Sequence, residues 1–164
     1  LADGGSVTNA SGRQITILSA GNDSGISFTV VGTDVNGSAL SETVTGANAG
    51  TATSSGYFKT ITSITAVGNP AGNVSAGINN NALGVIFAGR CRLKGFSFVS
   101  GGTAGKANIR NTSATGTELI QFRSIGTDST SEDPFIPDEG VLFTAGCYVT
   151  FIVATMDLMM FYHA

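Results

Sequence analysis

The stretch Ile26-Ser27-Phe28-Thr29-Val30, followed by Asp34-Val35-Asn36-Gly37 and Ala39-Leu40-Ser41-Glu42-Thr43-Val44-Thr45, decides the fold. Apolar and polar residues alternate through it at the period of a strand, which puts Ile26, Phe28 and Val30 on one face. Asn36-Gly37 tolerates positive φ at both central positions of a tight turn, so a two-residue hairpin is expected, with Ala39 to Thr45 as the returning strand.

Working outward, Gly, Asn, Asp and Ser turns recur at intervals of roughly 8 to 12 residues, and no stretch carries a helical period. Gly46 to Gly56 reads as a loop of small residues, after which Tyr57-Phe58 and the β-branched segment Ile61 to Val67 restore strand character. Asn69-Pro70-Ala71-Gly72 breaks it, and Asn73 to Ile78 forms a last short strand. Five or six strands in this half match a minimal immunoglobulin-like sandwich. Asn79-Asn80-Asn81, three turn formers in a row, marks the expected linker, giving domains 1–78 and 79–164.

The second half opens with Val85-Ile86-Phe87. In the strand expected over Arg90 to Ser100, Arg92, Lys94, Phe96 and Phe98 share one side, while Cys91, Leu93, Gly95 and Val99 share the other. Further strands are expected at Ala107 to Asn111, Glu118 to Ser124, Gly140 to Phe143, Cys147 to Ala154 and Asp157 to Tyr162. The fold expected for the chain is therefore all-β: two small antiparallel β-sandwich domains, immunoglobulin-like and then jelly-roll-like. The terminal stretch Tyr148 to Tyr162 is rich in large apolar residues, among them Phe151, Met159 and Phe161, and fits no single-face period. Two readings stand: a pair of core strands or a subunit interface.

Composition narrows the function. Charged residues are 12% of the 164-residue chain, about half the usual share, so hydroxyls and amides carry its solubility. The apolar fraction of 41% supports a folded core. A net charge of −3 is nothing like the basic footprint of a nucleic-acid binder. No run approaches the ~18 apolar residues of a membrane-spanning helix, and Leu1 to Ala10 has neither a basic nor an apolar leader segment, so no membrane partner is expected. Cys91 and Cys147 lie in apolar strand contexts and read as reduced core thiols, with one disulfide as the alternative. Sequons at Asn9, Asn22, Asn36, Asn73 and Asn111 are what a chain this rich in Asn, Ser and Thr produces by composition.

Catalytic chemistry finds little to work with. The single histidine, His163, is next to the last residue and poorly placed for the pre-organisation a nucleophile–base pair needs. The carboxylates of Glu132-Asp133 and Asp138-Glu139 flank Pro134-Phe135-Ile136-Pro137 in a loop that reads as acidic and solvated. Phe135 and Ile136, held between two prolines, suggest a stiff docking arm. Asp34-x-Asn36-Gly37 and Asn22-Asp23-x-Gly25 supply too few oxygens for calcium and read as turns, so no metal is expected. Gly101 to Lys106 lacks the strand-to-helix context of a phosphate loop and reads as a hairpin loop. Arg90, Arg92 and Lys94, spaced by two, point one way in an extended chain; with the acidic loop of the same domain they offer a complementary pair for lattice or intersubunit contact, or else they form a charged, solvated strand edge.

Taken in order, Ile17-Leu18-Ser19-Ala20-Gly21-Asn22-Asp23-Ser24-Gly25-Ile26-Ser27-Phe28-Thr29-Val30, Gly32-Thr33-Asp34, Glu42-Thr43-Val44-Thr45-Gly46, Tyr57-Phe58-Lys59-Thr60 and Ala71-Gly72-Asn73-Val74-Ser75 resemble a domain of structural proteins of tailed bacteriophages. The likeness covers roughly residues 12 to 78. Arg90-Cys91-Arg92-Leu93-Lys94-Gly95-Phe96, Gly105 to Arg110 and Asp138-Glu139-Gly140-Val141-Leu142-Phe143 look like a second small β domain of phage virion proteins. These are turn and strand signatures and carry over no catalytic residue. The resemblance implies a capsid decoration (cement) protein, a homotrimer on the major capsid protein at the capsid surface, assembled in the host cytoplasm and needing no cofactor. A tail, tail-tip or fibre component is the alternative within the virion. A carbohydrate-binding adhesin module is the alternative outside it, weakened by the lack of Trp and by only three Tyr for stacking.

Overall fold

Thirteen strands and no helix make up the described residues, which in this computed structural model are 5–124, 126, 131–132, 136, 139–152 and 156–164. The chain is all-β with antiparallel sheets, as its strand-period patterning and frequent turn formers dictate. It divides into two compact units, Leu1–Ala82 and Leu83–Ala164.

The first unit contains β1 (Val7–Ser19), β2 (Ser27–Thr33), β3 (Ala39–Thr45), β4 (Thr51–Thr53), β5 (Phe58–Val67) and the beginning of β6 (Val74–Phe87). Their order in the sheet is β3-β2-β5-β1-β6, with β4 also on β1. β1 changes partner along its length. Its early residues pair with β5, the register shifts between Thr8 and Arg13, and Thr16 to Leu18 pair with β4. Such irregularities bend a strand and let one sheet turn over its own core. That core is Ile15, Ile17, Phe28, Val30, Val44, Phe58 and Ile61, with Ile26 packed against it. Phe28 and Val44 face each other across β2 and β3, so the alternation read from the sequence is the alternation of burial.

The turn after β2 differs from the expected two-residue hairpin. The backbone N–H of Gly37 donates to Asp34 O, that of Asp34 donates to Ser38 O, and Gly37 has positive φ (81°) while Asn36 does not. The Asp34 carboxylate accepts from the N–H groups of Asn36 and Ser38, at 2.8 and 2.9 Å. This Asx-type clamp favours the ordinary turn closed by a left-handed glycine over the mirror-image turn.

Two further expectations are corrected. The loop Gly46 to Gly56 contains a strand, β4, fastened where Ile15 N–H donates to Ser54 Oγ and Ser54 N–H donates to Ile15 O, each at 2.8 Å. Asn79, Asn80 and Asn81 form no turn but lie inside β6, which runs on across the boundary between units. On the neighbouring β1, Gln14 Oε1 accepts from the amides of Asn79 (2.9 Å) and Asn81 (2.8 Å), and Arg13 donates to Asn80 O. Cross-strand amide pairing satisfies the groups that would otherwise favour a turn.

The second unit holds the end of β6 and then β7 (Cys91–Ser100), β8 (Gly105–Asn111), β9 (Glu118–Ser124), β10 (Ser131–Glu132), β11 (Val141–Phe143), β12 (Cys147–Ile152) and β13 (Met156–His163). In one sheet β8 lies between β12 and β9; in the other β7 pairs with β10, β11 and β13. Between them lies one core: Cys91, Leu93 and Phe96 from β7, Phe143 from β11, and Ala107, Ile109, Phe122, Cys147 and Val149 from the facing sheet. Phe96 and Phe122 meet edge to face across it, with centroids 4.2 Å apart. β7 and β8 belong to different sheets, so residues 101–104 cross between sheets and form no hairpin.

Candidate assembly surface

β7 corrects the expected partition of its own residues. Opposite β13, Phe161 pairs with Gly95 and Tyr162 with Leu93, leaving Lys94 as an extra residue. This bulge resets the alternation of the strand. Cys91 and Leu93 point inward before it, and Phe96 and Phe98 point inward after it, so the phenylalanines join the core instead of sharing the side of Arg92 and Lys94.

The same register sorts β13 into two rows. Leu158, opposite Phe98, and Met160, opposite Phe96, pack on the core. Met159, opposite Ser97, and Phe161, opposite Gly95, face outward and are 61% and 54% exposed. The terminal apolar stretch thus serves two ends. Cys147 to Thr150 of β12 are buried, Phe151 packs against the core, and β13 is buried on one side only. That mixture is why no single period fitted the stretch. Among the described residues β13 pairs with β7 alone, so it is a sheet edge carrying large outward apolar side chains.

Charge lies at one end of this face. Arg92, opposite His163, is half-buried, and Arg90 and Lys94 are exposed. The Arg92 guanidinium meets Glu139 Oε2 at 3.1 Å and also donates to the Glu139 carbonyl. With the Glu139 side chain 81% exposed, the pair contributes about 0–1 kcal/mol. An apolar centre with a charged margin is the usual make-up of a protein–protein contact.

Of the expected docking arm, Ile136 is half-buried against the core of the second unit and does not project. Phe135, Asp133, Asp138 and the prolines lie outside the described residues.

A feature that the sequence did not disclose is an open cleft of about 450 Å³ in the first unit, lined by Val7, Ile15, Ile61, Ile64 and Ile78 with Asn9 as its polar member. The Asn9 amide is engaged, donating to Phe58 O at 3.1 Å. The cleft offers shape and apolar contact, and none of its lining residues is titratable. Its residues come from three neighbouring strands of the sheet, β5, β1 and β6.

Elsewhere the polar groups singled out from sequence hold turns. Asn22 Oδ1 accepts from the N–H and hydroxyl of Ser24, and buried Asp23 accepts from Ala71 N–H at 2.7 Å. Glu42 spreads its carboxylate over the N–H groups of Ser55 (2.6 Å) and Gly56 (2.7 Å), tying β3 to the segment before β5. Among the described residues, no three His, Cys, Asp or Glu side chains gather as a metal site would require. There is also no helix among them long and apolar enough to cross a membrane.

Compared with protein families, with characterised proteins and with solved structures, the chain matches none.

Proposed function

We propose that the chain is a structural protein of a tailed-phage virion and, within that class, a capsid decoration protein. It would bind the major capsid protein of the mature head as a homotrimer present in many copies, through two β-sandwich modules, immunoglobulin-like and then jelly-roll-like. The observation that carries this reading is the outer row of β13, where Met159 and Phe161 stand exposed on a sheet edge. Proteins ordinarily blunt, charge or cover such edges, and neighbouring copies would cover this one. The resemblance of residues 12 to 78 to phage structural proteins supplies the setting. Arg90 and Lys94, exposed beside the apolar row, would steer an acidic neighbour into register. Contacts made only in the mature lattice stabilise that lattice by linkage, which is the whole mechanism required of a cement protein.

The cleft of the first unit favours a second reading, a tail-tip or fibre component whose Ile-lined surface receives a group of the host surface. A sugar-binding module has less support, because Tyr148 is buried and the Tyr162 ring lies against Phe87 at 5.3 Å.

The double variant Met159→Lys, Phe161→Lys tests the leading reading by sedimentation equilibrium. Because both side chains point away from the core, the circular dichroism is expected to match the parent, while the dissociation constant of the trimer rises about 100-fold or more. A parent chain that is monomeric at micromolar concentration, or a variant that assembles as the parent does, would overturn it.

A further inference from the structure

We propose that Cys91 and Cys147 form an intramolecular disulfide that staples the two sheets of the second unit through their shared core. The topology sets the pair up. Cys91 opens β7 in register with Phe143, the last residue of β11. The short segment Thr144 to Gly146 then carries the chain out of that sheet, and Cys147 opens β12 in the facing one. Both residues therefore sit at the same end of the sandwich, in the same core cluster, 3% and 1% exposed. Both are free, buried thiols in this structure, and each lies close enough to bear on the other's ionisation. Two cysteines at one end of a shared apolar core are joined with little rearrangement when their Cβ atoms approach as a disulfide requires.

The oxidant is a small-molecule disulfide such as oxidised glutathione. One protein thiolate attacks it, releasing one glutathione thiolate and leaving a mixed disulfide. The second protein thiolate then displaces the remaining glutathione. The protein loses two thiol protons and two electrons and gains one S–S bond; the reagent's S–S bond breaks and yields two thiols.

Burial also fixes when this happens. Desolvation pushes both thiols up, Cys147 to about 12 with Cys91 alongside adding to the rise, so the folded unit holds little thiolate and shields what it has. The bond therefore closes during folding or transient opening, before the core seals.

The test is refolding of the whole chain from denaturant in an oxidised glutathione buffer and, separately, in a reducing one. Oxidative refolding is expected to give a chain that is about 2 Da lighter, runs as a single chain under non-reducing denaturing conditions, and has no thiol titratable in denaturant. It should melt roughly 10 °C above the reduced form. Already folded, reduced protein placed in the same oxidised buffer is expected to keep its thiols far longer. Cys147→Ser should abolish the mass loss, and Cys91→Ala serves if the serine variant fails to fold. Thiols that stay free after oxidative refolding, or that join only between chains, would overturn the proposal.

Discussion

Replacing Gly32 with Ala is expected to unfasten β2 from β5 and cost the first unit about 4 kcal/mol or more. A Cβ built at Gly32 falls 1.9 Å from Thr60 O and 2.8 Å from Thr60 C. Both are backbone atoms of the partner strand, so no side chain can swing aside. The close approach comes from a bulge: Val31 pairs with Ser63 and Gly32 with Ile61, leaving Thr62 over, and its hydroxyl donates to Val31 O at 3.0 Å. Relief requires the strands to part at the centre of the sheet, next to Val30 and Phe58 of the core. Amide hydrogen exchange read on peptides from β2 and β5 checks this. Loss of protection there is the expected result, and wild-type protection in Gly32→Ala would show that the two strands do not pair in this register. Substitution at Gly37, where no atom lies within 4 Å of a built Cβ, meets only the strain of its positive φ and should be milder.

Phe143→Ala is the matching test of the second unit, with an expected loss of about 3–5 kcal/mol in chemical denaturation. Phe143 is fully buried in the cluster that joins the two sheets, opposite Cys91 in register. Its removal takes away apolar burial and leaves a void that β7 and β12, pinned by their own ladders, close only in part. Met159→Ala, on the exposed side of β13, should change stability by less than about 0.5 kcal/mol at concentrations where the chain is dissociated, and serves there as the control. Equal effects at the two positions would mean that β13 and β11 do not present the faces described.

Much of this architecture was legible in the sequence because strand periodicity and turn chemistry are local. Glu118 to Ser124 is a strand with the expected ends, and Ile26, Phe28 and Val30 do line one face of the first core. What was illegible depended on partners. Asn79 to Asn81 are turn formers in isolation and strand residues beside Gln14. The Lys94 bulge, which turns Phe96 and Phe98 inward, has no local signature beyond the adjacent glycine. Ile136 carries the same composition whether it projects or packs; only the core beneath it decides. The apolar terminus was visible as unusual, but its division into an inner row, Leu158 and Met160, and an outer row, Met159 and Phe161, required the register with β7.

That outer row links the fold to the proposed role. A decoration protein needs adhesive surface and a rigid frame to present it, and an apolar row on a sheet edge backed by an aromatic core supplies both. The face also has a direction, with Met159 and Phe161 in its middle and Arg92 and Lys94 at one end, which favours one docking orientation over its reverse.

The measurement that bears most directly on this proposed role is immunogold labelling of intact tailed-phage particles with an antibody to this chain. A decoration protein predicts label spread over the head surface in hundreds of copies; label confined to the tail vertex, or accessible particles that stay unlabelled, would contradict it.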